Sequence, residues 1–183
     1  MITLDYSLTK DDFLFIQLYR ASHDEQANKQ RRREKYRIIG LSLLCGIVLF
    51  LDEEYRYYSY FMLGSGLLFF LVYPWWSAWF YKRMFKKHIE AQFKDQLPYF
   101  TKLVMEDEFI EVASPRGNTR FLISDIKSII ETKDHLVILF SEFMSIIIPK
   151  KEVPDLNLLQ KQIEAYRDNY KIPVTQDFVW KWK

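Results

Sequence analysis

Three histidines, His23, His88 and His135, and a single cysteine, Cys45, are the side chains best suited to metal or nucleophile chemistry. A metal centre legible in sequence needs ligands at short fixed spacings, and these histidines are scattered without one. His23-Asp24-Glu25 joins an imidazole to two carboxylates. It falls on a polar stretch, where such a run reads as a solvated helix face rather than a site. Cys45 lies inside an uncharged apolar run, away from water and from any basic group that would make it a thiolate. Four of the five glycines, Gly40, Gly46, Gly64 and Gly66, also lie in apolar runs, leaving only Gly117 elsewhere. Neither a P-loop nor a dinucleotide fingerprint can be assembled from them. Asp11 and Asp12 follow Thr9 at a helix start, where negative charge is stabilised without any catalytic role. No catalytic residue, cofactor or metal is therefore expected, and the chain reads as a protein that is not an enzyme.

The elements that carry these residues explain the pattern. The chain has 183 residues, of which 49% are hydrophobic and 27% charged, with mean hydropathy −0.18. The apolar residues must therefore be concentrated. A net charge of +2 gives no bulk attraction for nucleic acid, and one cysteine excludes a disulfide framework. Residues 38–51 and 57–81 are free of charge, and an acidic knot, Asp52-Glu53-Glu54, stands between them. As helices they would extend about 21 Å and about 37 Å, against a bilayer core of ~30 Å.

Arg31, Arg32, Arg33, Lys35 and Arg37 precede the first block, and Lys82, Arg83, Lys86 and Lys87 follow the second. Basic flanks with an acidic connection predict a membrane hairpin, spans 38–51 and 57–81, with residues 52–56 outside and both termini cytoplasmic. Trp75 and Trp76, with Trp79 and Tyr81, stand where an aromatic belt forms, and Pro74 is expected to mark a kink there. Absence of ionisable groups within the spans argues against a transport path. Small residues, Ser42 with Gly46 and Gly64-Ser65-Gly66, predict close packing between the two spans.

Outside the hairpin, residues 1–37 read as a short strand followed by one helix from Lys10 to Arg37, an N-terminal helical arm. Residues 82–98 read as a helical connector ended by Pro98. Residues 99–183 carry short β-rich runs with turns at 106–108, 114–118, 133–134 and 141–142, and a last strand at 143–148. A helix capped by Asp155 follows. The tail from Val174 to Lys183 alternates Trp180-Lys181-Trp182-Lys183. Trp180 and Trp182, like Trp75, Trp76, Arg31, Arg32 and Arg33, are candidate contacts with a partner or the membrane interface. The tryptophans can equally cover the domain's own apolar surface.

Residues 103–153 carry Ser124-Asp125-Ile126, Glu131-Thr132 before a turn, and Ile148-Pro149-Lys150-Lys151; residues 6–13 read YSLTKDDF. With the hairpin, these stretches resemble the bacterial YcxB-like family. The resemblance implies an α+β membrane protein whose residues 99–183 form a pleckstrin-homology-like curved sheet capped by a helix. It implies no activity. In such a fold headgroup-binding members carry basic residues in the first hairpin loop, whereas Glu106-Asp107-Glu108 would repel a phosphoinositide. The expectation is an integral protein of the bacterial cytoplasmic membrane, in contact with lipid, using its cytoplasmic module to bind a protein partner in a regulatory or scaffolding role. The alternative is an immunity protein that shields its own cell from a membrane-acting antibacterial toxin.

Overall fold

Ile2, Leu4, Tyr6 and Leu8 alternate with more exposed residues, and all four are buried along strand β1 (Ile2–Leu8). The computed structural model describes residues 1–94, 97–115, 117–141 and 144–182. Arg116 of the 114–118 turn, Glu142, Phe143 at the start of the expected strand, Lys183, and residues 95 and 96 of the connector lie outside the described residues.

After β1 come α1 (Lys10–His23), α2 (Glu25–Phe50), α3 (Arg56–Gln92), β2 (Tyr99–Met105), β3 (Phe109–Ser114), β4 (Gly117–Leu122), β5 (Ser128–Thr132), β6 (His135–Leu139) and β7 (Ser145–Pro149). The helix α4 (Leu156–Tyr170) and strand β8 (Val174–Asp177) complete the chain, a mixed α+β fold. The expected continuous helix from Lys10 to Arg37 is two helices. Asp24 breaks it: its carboxylate accepts from the Gln26 and Ala27 amides and caps α2, so its own backbone is extended.

The strands form two four-stranded sheets, β1-β2-β3-β4 and β7-β6-β5-β8. β1 pairs antiparallel with β2 along its whole length, from Ile2 opposite Met105 to Leu8 opposite Tyr99. The expected tail includes a strand: β8 lies parallel to β5, Val174 opposite Ile129. Leu103, Met105, Ile110, Ile123, Ile129, Val137, Ile138 and Ile148 are fully enclosed. On α4, Leu159, Ile163 and Tyr166 recur at helical spacing and are buried too.

The chain divides into two compact units. The β module comprises Met1–Ile16 and Ile89–Lys181. The helical unit comprises Gln17–His88 with Trp182–Lys183. The N-terminal strand thus belongs to the same unit as the C-terminal strands.

Candidate functional site

In the helical unit, α2 and α3 run antiparallel. Ser59 Oγ donates to the Gly46 carbonyl and Ser42 Oγ to the Met62 carbonyl, each at 2.7 Å. Nearer the chain's entry and exit, Tyr73 Oη donates to the Arg31 carbonyl at 3.0 Å. Ser59, Gly66 and Tyr73 are seven residues apart, so they return to one seam of α3, and all three are buried. A Cβ placed on Gly46 would lie 2.7 Å from Leu63 Cδ2, and one on Gly66 2.7 Å from Ser42 Oγ. The helices approach closely at both glycines, as the small residues of the two blocks anticipated, and a Cβ at either would displace the facing Leu63 or Ser42 side chain.

The outside of the pair is the reverse. Leu41, Leu44, Ile47 and Val48 on α2 and Leu67, Leu68 and Leu71 on α3 are each more than half exposed. Polar and small side chains face inward and leucines face outward, the inverse of a water-soluble helix pair. α3 is long and apolar enough to cross a membrane. It continues unbroken through Pro74. By the same measure of length and hydropathy, α2 does not qualify. Its uncharged stretch is confined to its C-terminal half.

The candidate contact residues separate on structure. Trp75 is 82% exposed, and Trp76, Arg32 and Arg33 are also exposed. Arg31 is not free: Nη2 donates to Ser77 Oγ at 2.7 Å, and its guanidinium lies 5.1 Å from the Tyr81 ring and 5.3 Å from that of Trp182. Trp182 Nε1 donates to the Ala78 carbonyl at 2.8 Å. Trp180, in the β module, packs edge-on against Phe15 at 5.4 Å. Both tail tryptophans are half-buried and engaged within their own units.

In the β module, sequence reasoning missed two polar ties. His135 Nε2 lies 2.8 Å from Asp12 Oδ1, while Oδ2 accepts from the Thr9 amide and hydroxyl at 2.7 and 2.6 Å. Phe15 stacks on the imidazole at 4.2 Å. Burial acts to raise the Asp12 carboxyl, but the hydrogen bonds from His135 and Thr9 outweigh it and hold the group at about 2. A depressed carboxyl stabilises the fold above its unfolded value, ~3.9, and loses that contribution as pH falls toward 2. Asp12→Asn is expected to remove about 1–2 kcal/mol at neutral pH and to flatten the loss between about pH 4 and pH 2, read from urea melts of both proteins.

The second tie is Glu131, buried on β5. Its Oε1 accepts from Lys150 Nζ at 2.8 Å and its Oε2 from Gln176 Nε2 at 3.0 Å. Burial acts to raise its carboxyl, and these donors overcome that and lower it. Glu131 and Lys150 border a cavity of about 190 Å³ whose apolar wall includes Leu136, Leu159 and Ile163. With Lys150 on one oxygen and Gln176 on the other, Glu131 braces β5 against β8.

The acidic tip between β2 and β3 is held through its backbone. The hydroxyls of Tyr166 and Tyr170 donate to the carbonyls of Glu106 and Asp107, which leaves the carboxylates of Asp107 and Glu108 facing water. Burial pushes the Tyr166 phenol up to about 12, so it remains a donor at all ordinary pH. β4 is the exposed edge of its sheet: Asn118, Thr119, Arg120 and Leu122 face solvent, and only Phe121 turns inward to stack on Phe140 at 4.4 Å.

Residues 106–163, from the acidic tip through β7 into α4, match the family model described as YcxB-like protein. The match overlaps most of the 103–153 stretch that carries the resemblance and leaves residues 6–13 outside it. No curated protein and no solved structure matches the chain.

Proposed function

We propose that the chain is a two-span protein of the bacterial cytoplasmic membrane, whose pleckstrin-homology-like module lies in the cytoplasm and docks a protein partner without catalysis. The observation that carries the membrane part is the inside-out hairpin: leucines outward, Ser59, Ser77 and the close-packed glycines inward. Residues 38–50 of α2 lie beside the uncharged part of α3 and expose the same kind of side chain, which supports two spans rather than one. Basic residues at 31–37 and 82–87 and acids at 52–54 support cytoplasmic termini.

The family match at 106–163 and two four-stranded sheets followed by α4 support the pleckstrin-like reading. For the module, the open edge of β4 is the surface best suited to recognition. A strand edge binds an extended peptide through main-chain hydrogen bonds and needs no special side chains. The exposed acids of the 106–108 tip oppose an anionic headgroup or nucleotide. The buried carboxylates Asp12 and Glu131 are committed to structural ties.

Labelling tests the topology. With Cys45→Ser, Glu53→Cys is expected to react with a membrane-impermeant thiol reagent in intact cells, and Lys161→Cys only after lysis. The reverse pattern overturns the orientation. A photo-crosslinking residue at Thr119 is then expected to capture a distinct protein in native membranes; capture of lipid or self alone overturns docking at β4. Protection against a neighbouring toxin on co-expression would replace the docking role with immunity.

A further inference from the structure

Lys29, Arg33 and Arg37 recur every fourth residue of α2 and so share one face of it. With Gln26, Gln30 and Glu34 they form one polar face of α2. We propose that this ladder binds the phosphate of an anionic phospholipid headgroup, an assignment that rests on the membrane reading above and deepens it.

The cations are available. Arg33 and Arg37 are exposed and have no ion-pair partner among the described residues. Lys29 makes only a 3.6 Å surface contact with Glu25. Glu34, the one acid among these six residues, accepts from Gln30 Nε2 at 3.1 Å. The neighbouring Arg31 and Lys35 are occupied differently. Arg31 is held by Ser77, Tyr81 and Trp182, and Lys35 Nζ sits 3.8 Å from the centre of the Phe70 ring. Helical geometry therefore sets Arg33 and Arg37 of the basic run, together with Lys29, apart from Arg31 and Lys35.

Depth identifies the occupant. The uncharged stretch of α2 begins at Ile38, immediately after Arg37. Along the axis Arg33 stands about 6 Å, and Lys29 about 12 Å, outward from Arg37. A headgroup layer is roughly 5–8 Å thick, so Arg37 and Arg33 fall inside it and Lys29 stands about one helical turn beyond Arg33, on its aqueous side. The Lys35–Phe70 and Tyr73–Arg31 contacts put α3's exposed Trp75 level with Lys29, and Trp79 about one turn farther out. A helix face with three cations and one acid, followed directly along α2 by exposed Ile38 and Leu41, fits a phosphate attached to acyl chains. Each guanidinium can hold such a phosphate through two parallel donors.

The test uses the full chain in nanodiscs of phosphatidylcholine with about 30% phosphatidylglycerol, and electron spin resonance of spin-labelled forms of both lipids. One basic residue near the surface is worth roughly fivefold in anionic-lipid association. The wild type is expected to favour phosphatidylglycerol by at least about fivefold. Lys29→Gln/Arg33→Gln/Arg37→Gln is expected to bring the ratio close to one. Removing the same charge from α3, by Lys82→Gln/Lys86→Gln/Lys87→Gln, is expected to leave most of the preference. Equal loss in both triple variants, or full preference in the first, overturns the site. Extraction of the wild type from membranes by alkaline carbonate overturns the membrane reading and the site together; retention without any lipid preference overturns the site alone.

Discussion

Deleting residues 1–8 is expected to abolish cooperative folding of the β module, although β2 lies some ninety residues away in the chain, counting from β1. Ile2, Leu4, Tyr6 and Leu8 are all buried, and each enclosed side chain of this size contributes about 1.5–3 kcal/mol. Their joint loss, about 6–12 kcal/mol, matches the whole stability of an ordinary domain, about 5–15 kcal/mol. Deletion also strips β2 of its partner along seven residue pairs. The decisive comparison is between two soluble chains. One is residues 89–181 alone. The other joins residues 1–16 to 89–181 through a Gly/Ser linker of about ten residues, reaching roughly 16–19 Å. Phe13 stacks on Phe93 at 4.4 Å and Lys10 pairs with Glu90, so the two pieces meet close to the join. The joined chain should melt cooperatively by circular dichroism and the shorter one should not. Equal melts would show that β1 is dispensable.

In the joined chain, Ile138→Asp is the single substitution with the largest expected effect. Ile138 is fully enclosed on β6, opposite Ile129 of β5 and Ile146 of β7. An ionised carboxylate there has no partner, and protonating it leaves a buried hydroxyl and a lost aliphatic volume. The cost is about 5 kcal/mol or more, enough to remove the thermal transition. Ile138→Val serves as the control, since it keeps the apolar character and should cost about 0.5–1.5 kcal/mol. A native-like melt of Ile138→Asp would mean that β6 presents another face to the core.

Much of the architecture was legible because it is local. Alternation at residues 2–8, the uncharged blocks at 38–51 and 57–81, the Asp155 cap and the apolar spacing of α4 each depend on neighbours within a few residues. The close-packed glycines were anticipated from small residues within the apolar blocks. Asp24 was legible in principle as a cap ahead of Glu-Gln-Ala, but read as part of a solvated face it concealed the break between α1 and α2. The candidate contacts were legible only as residue types. Tryptophan and arginine suit an interface, and nothing local separates an exposed Trp75 from a Trp182 bonded to a helix carbonyl.

By itself the sequence determined that the protein has a charge-free helical pair with basic flanks and an acidic connection, followed by a strand-rich segment without local catalytic motifs. Tertiary structure decided which distant segments complete one another. It placed β1 against β2, β8 beside β5, and Asp12 on His135, 123 residues apart. It also decided which cations of 29–37 stay free, because Arg31 finds partners only when α3 lies alongside. The physical reason is common to all four. Strand pairing, buried hydrogen bonds and helix contacts gain free energy only when surfaces remote in the chain are brought together, and composition and periodicity carry no record of that meeting.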